Sequence, residues 1–245
     1  MVSIKFFPLL HSLLLSICLI TPLIPFSVQA SLQPYRAVYS LKWHGVPVGT
    51  STHTIQSIGP HTFSAETLSK PIIMLLPFKA HEKSRFKIYH HQVRPLHYEY
   101  QIQEKSKKKK GEIWFDWPRK KIHETIEMHP TKTFPLTESM FDKISLYFQI
   151  QSDLIHQRQP LDYTVIEPEK IKSYHFTLIG EEDLLTPLGL LKTVIIEHIS
   201  PNEERRTTIW LAKERAFLIV KLQQKKNGKL TAESLIKSYQ AFTPS

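Results

Sequence analysis

The densest charge in the sequence is Lys105-Ser106-Lys107-Lys108-Lys109-Lys110, five ammonium groups within six residues. Such groups repel one another, stay solvated and attract phosphates and carboxylates. Lys105, Lys107, Lys108, Lys109 and Lys110 are therefore candidate contacts for an anionic membrane surface or an envelope protein. The run falls between a strand expected to end near Gln103 and one starting near Glu112, which makes it a mobile hairpin tip. Arg119, Lys120 and Lys121 form a second basic turn, which a returning strand would carry to the other end of the hairpin.

The second candidate is apolar. Pro71 and Pro77 bracket Ile72-Ile73-Met74-Leu75-Leu76, and Phe78 follows. Prolines at both ends oppose a central strand, and the stretch is short for a helix. It reads either as a one-turn plug closing one end of a core or as a lip over an apolar cavity. On the second reading Ile72, Ile73, Met74, Leu75, Leu76 and Phe78 touch a lipid-like or amphipathic ligand.

Catalytic signatures are missing. There is no Gly-x-Ser-x-Gly, no phosphate loop and no Gly-x-Gly-x-x-Gly, so no catalytic residue and no cofactor is nominated. His123 and His129 are six residues apart, whereas a helical zinc-protease motif needs four. On a strand, His123, Glu127 and His129 would share one face, which reads first as a solvated face. Glu181-Glu182-Asp183 reads as a solvated turn, and Glu203-Glu204-Arg205-Arg206 as a self-compensating hairpin tip. His90 and His91, if on a strand, point to opposite faces.

The chain that must position these groups has 245 residues, a formal charge of +10 and one cysteine. Hydrophobic residues are 41% and charged ones 22%, as in globular domains. Its N-terminus reads as a secretory signal: Lys5, an apolar stretch from Phe6 to Ile24, then Val28-Gln29-Ala30 before Ser31. An uncleaved anchor would have to use Leu9 to Phe26, which Pro22 and Pro25 break. Ile17 before Cys18 opposes lipoprotein attachment there. Cleavage after Ala30 would remove Lys5 and Cys18 but no acidic residue, leaving a periplasmic chain of charge +9 without thiol chemistry. Export also removes nucleic acid from the expected partners.

The expected mature chain, 31–245, reads as one domain. Tyr35, Ala37, Tyr39, Leu41 and Trp43 alternate with polar residues, as a half-buried strand requires. The alternation returns at Phe63 to Thr67, Phe86 and Ile88, Leu96 to Ile102, Ile113 to Trp117 and Ile122 to Met128. His44-Gly45, Gly59-Pro60, Asn202-Glu203 and Asn227-Gly228 mark turns. From Thr137 to Gln157 the apolar residues recur every three or four positions, which predicts an amphipathic helix with Thr137 as N-cap. Strands resume at Tyr174 to Leu178, Leu191 to Ile199, Thr207 to Ala212, Phe217 to Leu222 and Leu230 to Tyr239. The pattern predicts a mainly β fold, a curved antiparallel sheet or half-open β-barrel of roughly a dozen strands with one amphipathic helix.

Tyr35 to Tyr39, Trp43-His44-Gly45-Val46-Pro47-Val48-Gly49, Asp142-Lys143-Ile144-Ser145-Leu146-Tyr147, Thr186-Pro187-Leu188-Gly189 and Trp210-Leu211-Ala212 occur in that order. Together they resemble the bacterial exported family catalogued as domain of unknown function 3108, from Tyr35 to Tyr239. The resemblance implies a periplasmic β-rich protein without assigned catalytic residues. Where the family has a proline before the penultimate strand, this chain has Ala216-Phe217-Leu218-Ile219. The first expectation is a non-enzymatic envelope protein binding an apolar or amphipathic ligand in a half-open barrel. A protein-interaction module with a packed core is the alternative, and a metal-dependent hydrolase a third reading.

Overall fold

The computed structural model describes residues 32–72, 78–104 and 107–242. Residues 1–31, which hold the expected signal, and Ile73 to Pro77, Lys105, Ser106 and 243–245 lie outside the described residues. The strands are β1 (Tyr35–Trp43), β2 (Val46–Gly59), β3 (Thr62–Pro71), β4 (Phe78–Tyr89), β5 (Gln92–Glu104), β6 (Lys107–Asp116), β7 (Lys121–Ile126), β8 (Lys132–Pro135) and β9 (Met140–Phe141). Helix α1 (Ser145–Ile155) follows, then β10 (Leu161–Glu167), β11 (Lys170–Thr186), β12 (Gly189–Ile199), β13 (Arg205–Ala212), β14 (Leu218–Lys226) and β15 (Lys229–Ala241).

All fifteen strands form one sheet in the order β8 to β1, then β15 down to β9. Two meanders thus grow outward from a seam where the first strand pairs with the last, Ala37 opposite Tyr239. Every pairing is antiparallel except β9 with β10. The edges β8 and β9 are neighbours in sequence, and the sheet curls without closing fully. Register shifts at Val38/Tyr39, Arg85/Phe86, Leu178/Gly180 and Trp210/Leu211 supply bends, because an extra residue on one strand raises the local twist.

The alternation read from β1 holds: Tyr35, Ala37 and Tyr39 are buried, but Trp43 at the strand end is exposed. His44-Gly45 and Asn227-Gly228 both turn with positive φ at their two central residues, the two-residue geometry whose twist matches a hairpin. His90 and His91 do the same. They are a hairpin turn, not strand residues, and His91 packs its ring 3.8 Å from that of His156.

The helix is shorter than its periodicity suggests. Met140 and Phe141 are a strand against Thr164 and Val165, and the helix starts at Ser145. Asp142, not Thr137, caps it: Oδ1 accepts the N–H groups of Ile144 (2.8 Å) and Ser145 (2.9 Å), while Oδ2 accepts the hydroxyls of Ser84 (2.7 Å) and Ser145 (2.8 Å). Met140, Phe141 and Ile144 mimic helical spacing because a strand and a cap bury them in the same core.

Helix α1 plugs one end of the curled sheet. Phe148 stacks on Phe86 at 4.8 Å, and Phe86 on Phe63 at 5.9 Å. Gln149 accepts the Val93 N–H, Ser152 donates to the His91 carbonyl and Gln151 to that of Phe217. The helix is thereby tied to both meanders. The penultimate strand begins at Leu218 rather than Phe217, since Ala216 and Phe217 both take positive φ. Proline, with φ held near −65°, could stand at neither position.

Candidate functional site

The opposite end gathers the β1–β2 turn, the end of β3, the start of β4, the β5–β6 hairpin and the β14–β15 turn. Strand alternation and register decide which of its side chains meet. Leu68, His81, Gln101 and Lys110 are opposite one another in a row across β3, β4, β5 and β6. The next row towards the open end holds Lys79, Gln103 and Lys108, flanked by Lys70 on β3. Both rows share the outer face, because residues two apart on a strand point the same way.

These rows line a cavity of about 410 Å³, to which Lys70, Lys79, Lys108 and Lys110 contribute basic side chains, with Glu127 the one acidic residue in the lining among the described residues. Lys110 reaches Glu127 at 3.7 Å. His81 is engaged by Glu66 at 2.5 Å. An adjoining cavity of about 390 Å³ shares His81, Gln101, Lys110 and Glu127 but adds Glu99 and Glu112. The pair forms one trough, basic towards the open end and acidic towards the middle of the sheet.

Lys107 to Lys110 therefore belong to a strand and not to a mobile finger. Alternation sends Lys108 and Lys110 to the trough and Lys107 and Lys109 to the other face. Lys109 Nζ bonds Glu169 at 2.6 Å, and this bond holds the Glu169 carboxyl below its ordinary range. Lys70, Lys79, His81, Gln101 and Gln103 were absent from the sequence-based candidates. Their shared parity with Lys108 is visible in the sequence, but the register that aligns it is not.

Of the apolar candidates, Ile72 is exposed beyond β3, and its N–H donates to the Val48 carbonyl at 2.9 Å. Phe78 opens β4 half-buried, in register with Glu104. Ile73, Met74, Leu75 and Leu76 lie outside the described residues. The register does bring Phe78 to the lysine end of the sheet, because Glu104 is opposite both Phe78 and Lys107.

The inner face above the helix is polar. Glu82 accepts from Lys143 Nζ at 2.8 Å and from the Tyr98 hydroxyl. Glu167 accepts from Lys172 (2.7 Å) and Tyr174 (2.5 Å). Burial opposes ionisation of Glu167, but these two bonds outweigh it and hold its carboxyl below the usual range. His53 packs its ring 4.6 Å from that of Tyr39. Burial pulls its pKa from 6.5 to about 4, with Glu82 pulling weakly the other way. Burial raises the Asp142 carboxyl in spite of its cap bonds.

Sequence reading also missed Glu124, whose side chain is fully buried beside Ile122. Its Oε1 accepts the Glu169 N–H at 2.8 Å, tying β7 to the β10–β11 turn. Its Oε2 and the buried Tyr100 hydroxyl have no hydrogen-bond partner among the described residues. Gly111 is required here, since a Cβ would stand 2.5 Å from that hydroxyl and 2.6 Å from the Thr125 carbonyl.

The other polar clusters resolve into packing. β7 ends at Ile126 and Met128 turns with positive φ, so His123, Glu127 and His129 do not continue one strand face. His123 bonds Thr133, and His129 the Glu127 carbonyl. Among the described residues no three His, Cys, Asp or Glu side chains converge to hold a metal ion. Glu181 to Asp183 lie within β11, not in a turn. Glu181 pairs with Lys213 and Glu182 accepts the Trp210 indole N–H, both at 2.6 Å. Arg206 is on β13 and pairs with Glu197 across the sheet (2.8 Å), not within its own turn.

The family model described as protein of unknown function DUF3108 matches residues 38–233. The chain belongs to this family. DUF3108 proteins are associated in general with bacterial export. No curated protein matches the chain. Among solved structures, a β-barrel-like DUF1849 protein from Brucella abortus is similar with a TM-score of 0.58 at 9% identity, over 87% of this chain and 99% of that one. A protein provisionally described as a lipoprotein from Parabacteroides distasonis gives a TM-score of 0.40 at 8% identity, over 85% and 96%. The first likeness agrees with the curled sheet of this DUF3108 protein and speaks to fold alone.

Proposed function

We propose that this DUF3108 protein is a non-enzymatic periplasmic protein, exported with cleavage after Ala30, that binds an amphipathic, lipid-like ligand at its open end. The observation that carries this reading is the basic basin of the trough. Lys70, Lys79, Lys108 and Lys110 converge there with Gln101 and Gln103 as further hydrogen-bond donors, against a single carboxylate, Glu127, among the described residues. That set suits a phosphate or carboxylate headgroup, with ammonium groups as point charges and the amides as orienting donors. Leu68 lines the same basin. Ile72, exposed beyond the end of β3, and Phe78 at the start of β4 offer apolar contact for a tail at the same end.

The test is native mass spectrometry of the purified protein with lysophosphatidylglycerol or lysophosphatidylcholine below micellar concentration. A one-to-one adduct with the anionic lipid is expected, lost in the Lys70→Gln, Lys79→Gln, Lys108→Gln, Lys110→Gln variant. Equal adducts with both lipids, or none with either, would refute the reading.

A further inference from the structure

The rim of the open end carries features the trough does not use. Trp43 is 53% exposed, Val46 62%, Ile72 63% and Met128 98%. Trp43 and Val46 are cross-strand partners. The Ile72 N–H bonds the Val48 carbonyl, so these three exposed residues stand at the adjoining tips of β1, β2 and β3. Next to β1, the β14–β15 turn presents Lys225, Lys226 and Lys229, all exposed and without an ion pair among the described residues. On the other flank stand Lys70, Lys79 and Lys108. Opposing charges at this end include Glu203 and Glu204, whose turn meets Asn227 through the Glu204 carbonyl, and Glu233, which is paired with Lys42 at 3.2 Å.

We infer that this rim docks on an anionic phospholipid bilayer. Tryptophan favours the headgroup layer, where its ring is buried and its N–H stays wet. Lysines beside it gain from the negative surface potential. Peripheral binding becomes stable when an apolar and a basic signal act together, and the rim supplies both at one end of the sheet. The apolar atoms sit at the strand tips, and lysines flank them on two sides. The inference stands apart from the ligand reading, because Trp43, Val46, Lys225, Lys226 and Lys229 do not line the trough.

The experiment is sedimentation of the exported protein with vesicles of phosphatidylcholine alone or with about one-third phosphatidylglycerol. Every variant keeps the same N-terminus, so residues 1–30 cannot create a difference between them. Binding is expected to the anionic vesicles only and to weaken between about 0.1 M and about 0.5 M salt. Lys225→Gln, Lys226→Gln, Lys229→Gln should weaken it on the order of a hundredfold, at roughly tenfold or less for each charge. Trp43→Ser should weaken it several-fold, with Ile72→Ser as a second variant should Trp43→Ser fold poorly.

The matched set Arg119→Gln, Lys120→Gln, Lys121→Gln at the plugged end should leave binding unchanged. Equal binding to neutral vesicles, or an equal loss in the matched set, would overturn the docking. So would displacement by soluble glycerophosphoglycerol, which would mark a headgroup pocket instead. Lysolipid adducts without vesicle binding would overturn the docking and leave the ligand reading intact.

Discussion

The two ends of this curled sheet solve different problems with the same strands. At the plugged end Phe63, Phe86 and Phe148 stack in series, and helix α1 bonds carbonyls and N–H groups of both meanders. At the open end Trp43, Val46 and Ile72 face solvent, and lysines crowd together with few carboxylates to answer them. Stability is concentrated where polar groups satisfy one another around buried rings. The other end keeps uncompensated charge and apolar surface, which cost stability and suit recognition.

Substitutions should separate the ends in a graded way. Phe148→Ala removes the ring that joins helix to sheet, so urea denaturation should show a loss of about 3–5 kcal/mol. Trp43→Ser at the open end should cost far less, and an equal loss would erase the distinction. His53, on the inner face between the ends, tests it by pH. Its unfolded form takes up a proton near pH 6.5 and its folded form near 4. Its contribution is therefore present above pH 6.5 and lost as pH falls towards 4, on the order of 2 kcal/mol given its partial exposure. His53→Gln should flatten that slope, and an unchanged slope would place the buried titration elsewhere. The smallest effect belongs to the trough. Replacing Lys70, Lys79, Lys108 and Lys110 with Gln should leave stability within about 0.5 kcal/mol, measured by the same denaturation.

Much of the fold was legible in the residues. Alternation at Tyr35, Ala37 and Tyr39 and the glycine turns at Gly45 and Gly228 mark strands and hairpins, because burial on one face and positive φ each leave a local signature. The apolar periodicity from Thr137 to Gln157 overstates helix α1, which spans Ser145–Ile155. Periodicity records burial, and Met140 and Phe141 are buried as a strand. His90-His91 gives no local turn signal because neither is glycine, although both take positive φ. Glu124 sat in an apolar alternation, yet a carboxylate on a core face gives no local sign of whether a partner waits for it.

The sequence by itself determined the β class, the region of the helix and the family, since alternation, periodicity and short motifs each rest on neighbours within a few residues. Tertiary structure alone decided that Lys108 and Lys110 join Lys70 and Lys79 while Lys109 turns to Glu169. It also decided that Asp142 caps the helix and that Ile72 and Phe78 stand at the same end of the sheet as Lys107 and Lys108. Those outcomes depend on strand register and on the curl of the sheet, which long-range pairing sets and local spacing leaves free.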